Sequence, residues 1–157
     1  MPRQLTSMSK QEWQAFLEEE RTAILSSAGP QGYPHLVAMW YLVRDDAILM
    51  WTYAKSQKAQ NLRRDPRVGL LVEAGERYEE LRGVLIQGDA EIISDFDAVL
   101  EAGIALHARY QGGHGEQPGA EQGVRAQAAK RVLIRLPYTR VVSWDHRKLS
   151  AGHRSLG

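Results

Sequence analysis

Lys55, Ser56 and Lys58 are the residues of this chain whose types and spacing best suit a chemical task. They follow directly on the apolar, strand-forming run Ile48-Leu-Met-Trp-Thr-Tyr and open a short helical segment. Pro66 closes that segment, because the residue before a proline is driven out of the helical region. Basic side chains in a first helical turn face the positive end of the macrodipole, which is unfavourable on its own. An anion held by backbone N–H groups, the serine hydroxyl and two ammonium groups reverses that sign. The chemistry implied is the grip on a phosphorylated cofactor or substrate, with Asn61 about one turn beyond Ser56 or Lys58. With Arg63 and Arg64 nearby, the same residues also suit a solvated basic helix, and residue types alone leave the two open. The chain has no glycine-rich phosphate loop of the P-loop or dinucleotide-binding type.

Other groupings are less pointed. Trp40, Tyr41, Trp51 and Tyr53 put aromatic rings on neighbouring strands ahead of the cradle, where they line a slot for a planar ring or fill the core. His35, His107, His114, His146 and His153 are scattered, with no pair at metal-ligand spacing, which fits structural or surface roles. No serine, histidine and acid arrangement stands out for nucleophilic catalysis, and Asp45, Asp46, Glu79 and Glu80 sit beside turns and strand ends. Arg140, Arg147, Lys148 and Arg154 make the C-terminal region basic, either as solvated surface or as charge for an anionic ligand of the other subunit in a dimer.

These residues must be carried by a single domain, residues 1–157, long enough to bury a core without disulfides or metal. The absence of cysteine excludes a disulfide framework, a thiolate zinc site and a cysteine nucleophile, and suits a reducing cytoplasm. A formal net charge of +1 gives no argument for nucleic acid or anionic membranes. No apolar run has the length to span a bilayer, and the N-terminus lacks the apolar centre of a secretory signal. A soluble, cytoplasmic domain is expected.

Ser9-Lys-Gln-Glu12 is a capping box with Met8 and Trp13 as its hydrophobic staple, opening a helix that buries Trp13, Phe16 and Leu17. Strands are predicted at 22–27, 35–43, 47–53, 67–73, 79–93 and 131–144, with turns at 29–32, 44–46 and 74–76. Gly83 and Gly88 interrupt the fifth strand and Pro137 the sixth. A helix is predicted at 56–64, and another from Ser94 and Asp97 to about Tyr110. Residues 111–123 read as a mobile glycine-rich loop, 124–130 as a brief helical turn, and the tail 145–157 as irregular. Strands joined by hairpin turns with helices at intervals predict a mainly β fold, a small antiparallel barrel.

The order of motifs resembles the pyridoxamine 5′-phosphate oxidase-like superfamily of FMN-binding split barrels. Pro34-His-Leu-Val-Ala-Met-Trp40-Tyr carries the resemblance, followed by Leu49-Met-Trp-Thr-Tyr-Ala-Lys55-Ser-Gln-Lys58-Ala-Gln-Asn61-Leu and Asp65-Pro-Arg-Val. Tyr78-Glu-Glu-Leu-Arg82-Gly83-Val-Leu-Ile-Gln-Gly88-Asp-Ala extends it. Val142-Ser-Trp144-Asp-His-Arg-Lys148-Leu resembles the C-terminal signature of the flavin/deazaflavin oxidoreductases of group B. The resemblance implies a six-stranded antiparallel split β-barrel with peripheral helices that forms a homodimer with two cofactor sites at the subunit interface. It also implies that Lys55, Ser56 and Lys58 bind the cofactor phosphate with Asn61 nearby. Val37, Ala38, Met39 and Trp40 would lie along the ring, with Trp51 and Thr52 beside the ribityl chain. Arg82 and Gly83 would approach from the long strand, and Trp144 and Lys148 from the C-terminal side.

The chain lacks the C-terminal arginine and histidine motif with which pyridoxamine-phosphate oxidases hold their substrate, so a vitamin-processing oxidase is not expected. Trp40 and Trp144 with the lysine pair resemble members that use coenzyme F420. The expected function is therefore an F420-dependent oxidoreductase passing hydride from reduced deazaflavin to an unsaturated, small-molecule substrate. Catalytic side chains are not identified, since the cofactor carries the redox chemistry. Two alternatives stand beside it: an FMN-dependent oxidase or reductase of the same fold, and a non-catalytic cofactor- or tetrapyrrole-binding protein.

Overall fold

Ser9 begins the first long helix as its spacing predicts. In the structure, a computed structural model that describes residues 3–111 and 120–153, a single turn α1 (Arg3–Thr6) precedes α2 (Lys10–Glu19). Ser9 Oγ accepts from the Glu12 backbone N–H at 3.2 Å, and Glu12 Oε1 accepts from the Ser9 N–H at 3.1 Å. Met8 and Trp13 are both buried in one cluster on either side of this box, as a hydrophobic staple requires.

The chain then runs through β1 (Ala23–Ala28), β2 (Pro34–Met39), β3 (Leu42–Arg44), β4 (Ala47–Tyr53), α3 (Gln57–Arg64) and β5 (Arg67–Ala74). A single 3-10 turn at Tyr78–Glu80 leads into β6 (Arg82–Asp89) and β7 (Glu91–Ile93). After these come α4 (Phe96–Gln111), α5 (Ala120–Ala128), β8 (Arg131–Pro137), β9 (Arg140–Asp145) and α6 (Arg147–His153). All strand pairings are antiparallel. They build a five-stranded sheet in the order β2-β1-β5-β6-β9 and a four-stranded sheet in the order β3-β4-β8-β7. The fold is mainly β and barrel-like, with helices attached.

Nine strands are present among the described residues where six were expected. Three of the expected strands each divide in two because the chain leaves one sheet for the other. The corners are Trp40–Tyr41 between β2 and β3, Ala90 between β6 and β7, and Tyr138–Thr139 between β8 and β9. Strands that bend in this way join packed sheets at their corners. Each corner takes its backbone hydrogen bonds from outside the ladders. The Tyr110 hydroxyl lies 3.0 Å from Tyr41 N and 3.1 Å from Tyr41 O, Ala90 N–H donates to Pro66 O at 2.8 Å, and Tyr138 N–H donates to Asp46 O at 3.0 Å.

The barrel interior is filled by Phe16, Leu17, Leu25, Tyr41, Met50 and Ile86 with their neighbours. A second cluster, including Leu49, Val99, Leu106, Val124 and Leu133, lies between the four-stranded sheet and the α4–α5 pair. β4 is therefore covered on both faces, which explains its continuous apolar run. Gly103 of α4 rests on the Trp51 indole so closely that a Cβ there would lie 2.3 Å from the ring.

Three expectations are corrected around the helices. Asp95, rather than Ser94, caps α4, its Oδ2 accepting from Ala98 N–H at 3.0 Å. Residues 112–119 of the expected mobile loop lie outside the described residues, while Gln111 ends α4 and Ala120 already begins α5. Glycine at position 123 costs about 1 kcal/mol in a helix, offset here by the burial of Val124 and Ala128. The tail expected to be irregular forms α6 up to His153, and residues 154–157 lie outside the described residues. No helix among the described residues is long and apolar enough to cross a membrane.

Tyr41 is fully buried, and its hydroxyl donates to Leu17 O at 2.6 Å and lies 3.1 Å from Glu20 O. Burial pushes that phenol well above its usual range. Removing the oxygen in Tyr41→Phe leaves the end of α2 with Arg109 as its remaining side-chain donor and is expected to cost about 1–2 kcal/mol, read as a lower urea midpoint with unchanged slope.

Candidate cofactor site

The junction between β4 and α3 is locked from the side of its acceptors. Ala54 N–H closes the last rung onto Lys130 O at 2.9 Å, and Ser56 N–H turns back to Tyr53 O at 3.0 Å. Arg63 donates to Ala54 O at 2.9 Å, and Gln60 Nε2 donates to Lys55 O at 3.0 Å. The carbonyl oxygens of the junction are thereby occupied internally. What remains at its mouth is a set of donors.

Ser56 is the N-cap, in extended conformation, its Oγ accepting from Ala59 N–H at 3.2 Å. The same oxygen lies 3.2 Å from Thr52 Oγ1. With Thr52 as donor, the Ser56 proton is left to point outward. The backbone N–H groups of Gln57 and Lys58, first in the helix, have no acceptor among the described residues. Lys55 is exposed. Lys58 is half-buried, and desolvation pushes its ammonium below the usual lysine range, with no acid among the described residues to offset it. An oxyanion seated on these N–H groups, the serine hydroxyl and the two ammonium groups would offset that cost, so the residues present fit a phosphate.

Asn61, expected nearby, is fully buried. Its Nδ2 donates to Ser27 Oγ of β1 at 3.1 Å, and its Oδ1 accepts from Gln57 Nε2 at 2.8 Å and Arg64 Nη2 at 3.3 Å. The aromatic and apolar candidates divide by strand alternation. Val37 and Met39 pack against the barrel core, whereas Ala38 and Trp40 are exposed, Trp40 stacking on Tyr110 with centroids 4.5 Å apart. Thr52 reaches Ser56 from one face of β4, while Trp51 lies on the other face under α4, with the Arg131 guanidinium 4.6 Å from its ring.

On the long strand Arg82 reaches Glu19 Oε2 at 3.4 Å and lies 5.0 Å from the Phe16 ring. Gly83 leaves room for the Trp144 indole, which a Cβ would meet at 2.1 Å. Asp145 is buried beside Trp144, and the Arg147 guanidinium, at 2.8 and 2.9 Å, holds its carboxyl below the usual carboxylate range. Lys148 Nζ contacts Glu12 Oε2 at 2.8 Å and Ser7 O at 3.0 Å, and with Ser9 it draws the Glu12 carboxyl down. Of the C-terminal candidates Trp144 lies in β9 and Lys148 just after it, and β9 is three strands across the sheet from the β1 on which α3 packs, roughly 14 Å by strand spacing. One chain thus holds the cradle and the Trp144–Lys148 segment at separate places.

A feature missed in the sequence lies on the outer face of the five-stranded sheet. Ile24, Leu36, Leu71, Leu85 and Val142 share that face by register, and Leu36 is 62% exposed. Most of them line an open depression of about 510 Å³ with Ser26 and Pro34. The signal was available: 36–40 is apolar at odd and even positions alike, so its strand must present apolar side chains on both faces. A second depression, between α2 and Val43, is edged by Lys10, Gln11, Gln14 and Glu18 and gathers none of these groups. No group of three or more potential metal ligands occurs among the described residues.

The sequence model of the family described as pyridoxamine 5′-phosphate oxidase matches residues 9–145, from the cap of α2 to the end of β9. The chain belongs to this family. Among solved structures, a conserved hypothetical protein of Mycobacterium tuberculosis, Rv2991, is 45% identical over 92% of this chain and 89% of its own, with a TM-score of 0.85. An F420 reductase is 26% identical over 82% of this chain and 94% of its own, with a TM-score of 0.64. An FAD-binding protein of Mesorhizobium loti, 21% identical over 87% of this chain and 94% of its own, has a TM-score of 0.64 and shows the shared fold. No curated protein matches the chain.

Because the Lys58 charge is penalised in the folded protein, the penalty holds at every pH below its depressed range and disappears once the unfolded chain also loses the proton. Lys58→Met is therefore expected to raise the melting temperature of the ligand-free protein at neutral pH, by on the order of 1–3 °C, as followed by differential scanning fluorimetry.

Proposed function

We propose that this family member is an F420-dependent oxidoreductase, passing hydride from a reduced deazaflavin to an unsaturated organic substrate. The carrying observation is the half-buried Lys58 beside a serine-capped helix start, where neither the ammonium nor the first N–H groups have an acceptor among the described residues. Lys55, Ser56 and Lys58 hold the cofactor phosphate, and Thr52 sets the Ser56 hydroxyl. Ala38 and Trp40 offer side chains to the ring, while Val37 and Met39 reach it through backbone alone, since their side chains face the core. When bound, the reduced deazaflavin would supply the hydride and be oxidised in turn, with the proton that completes the substrate's reduction drawn from solvent. The chain's own work is to grip, orient and shield. The 26% identity to an F420 reductase favours this cofactor over FMN, which carries the same ring, ribityl and phosphate head and gives the second reading of the site.

The active species in this proposal is a homodimer joined through the outer face of the five-stranded sheet. Two observations support it. The face is apolar and uncovered, and soluble monomers seldom leave such a patch open. The cradle and the Trp144–Lys148 segment also sit apart in one chain, so a two-fold partner is the economical way to bring Trp144 and Lys148 to one cofactor with Arg82 and Gly83 behind them.

Titration of the apoprotein with F420 is expected to give the tighter complex and FMN the weaker one. A yellow protein retaining FMN through purification, with no F420 binding, would reverse the order. Lys55→Ala and Lys58→Ala are each expected to weaken cofactor binding roughly 10- to 100-fold, the worth of a charge-assisted hydrogen bond; unchanged affinity removes the cradle. Anion binding favours charged Lys58, so affinity should fall as pH rises into that lysine's depressed range, and Lys58→Ala should flatten the profile. Leu71→Asp or Leu85→Asp is expected to give monomers in sedimentation velocity, together with weakened cofactor binding, whereas a persistent dimer would place the interface elsewhere.

A further inference from the structure

Asn61 carries more connections than a residue of its size usually does, and none of them leads outward. An amide side chain has two donor hydrogens and one oxygen with two lone pairs. Here the oxygen accepts from Gln57 at 2.8 Å and from Arg64 at 3.3 Å, the nitrogen donates to Ser27 at 3.1 Å, and the residue is 0% exposed. The second amide hydrogen has no acceptor among the described residues, but full burial leaves a ligand at the start of α3 no exposed face of this amide to bind.

The three partners define what the amide does. Gln57 is the first residue of α3, and its backbone N–H is one of the two free donors at the mouth. Its side chain is turned back along the helix onto Asn61, four residues on, and so does not occupy the mouth itself. Arg64 is the last residue of α3, and its guanidinium also donates to Ala28 O of β1. Ser27 lies in β1, paired across to His35 of β2. One buried amide therefore ties both ends of an eight-residue helix to the strand beneath it.

Building on the phosphate cradle proposed above, we infer that Asn61 is a positioning residue: it aims the N–H groups of α3 by anchoring the helix on Ser27 and touches no cofactor. Its loss leaves the Ser27 hydroxyl, Gln57 and Arg64 without their buried partner and lets the helix start shift against β1. The ring end of the cofactor, held by other residues, does not feel that shift. The effect is confined to the increment in affinity that the phosphate contributes.

The test compares FMN with riboflavin, which lacks the phosphate, and F420 with the ribityl deazaflavin that lacks its phosphate and the tail beyond it, by fluorescence titration of wild type, Ser27→Ala, Asn61→Ala and the double variant. Both single variants are expected to reduce the preference for the phosphorylated ligand about fivefold or more, with affinity for the phosphate-free ligand within about twofold of wild type. The double variant should be no worse than Asn61→Ala, because both changes break one link. Ser27→Ala removes a single hydroxyl, so it decides the matter even where Asn61→Ala does not fold. Equal weakening of both ligands would mark Asn61 as general scaffold and overturn the inference, as would an unchanged preference in Ser27→Ala. A wild-type protein indifferent to the phosphate would instead overturn the cradle, and this inference with it.

Discussion

A strand that changes sheets must give up its ladder at the corner, and the architecture here rests on how those corners are satisfied. Three segments make the change, and the backbone groups exposed there are met by the Tyr110 hydroxyl, the Pro66 carbonyl and the Asp46 carbonyl. A buried, unpaired peptide group costs on the order of 1–3 kcal/mol, so each of these contacts is a condition for closure. The Tyr110 contact also recruits α4, whose neighbouring Arg109 donates to Leu17 O at 3.2 Å and Glu20 O at 2.7 Å at the end of α2. Barrel, helix pair and N-terminal helix are thus joined through one corner.

The candidate site follows from the same economy of acceptors. β4 ends where its last rung meets Lys130, and the carbonyl groups at that point are taken up by Arg63 and Gln60 of the helix that follows. Donors are left over, and two lysines and a serine add to them. The proposed anion site draws on this surplus of positive and N–H character, fixed on a rigid strand and a short capped helix.

Much of this was legible in the chain. Local rules placed the Ser9 capping box, the reversal at Asp45 and Asp46, both of which have positive φ, and the Ser56 helix start, because each depends on a few adjacent residues. The corners were legible only in part: Gly88 and Pro137 interrupt two of the strands, and nothing in the run through Trp40 marks the third, because a distant partner decides where each strand turns. Trp51 and Asn61 show the same limit within the site. An indole can face a ribityl chain or α4, and an amide can face a ligand or Ser27. Spacing along the chain does not distinguish the two; the packing of α4 and β1 does. The helical character of 147–153 was hidden for a similar reason, as His146 and Asp145 fix its start through the Tyr78 carbonyl and Arg147.

The contact between Lys148 and the acid of the α2 capping box reaches beyond stability. That ammonium already has two oxygen neighbours, Glu12 and the Ser7 carbonyl, at the very start of the chain's first long helix. In the dimer proposed above, a swing of this ammonium toward an anion on the neighbouring subunit would cost Glu12 its counter-charge and leave the Ser9–Glu12 box to hold the helix start alone. Occupancy in one subunit would then be felt as loosening at the amino-terminal end of the other, a thermodynamic link between two places that share no ligand.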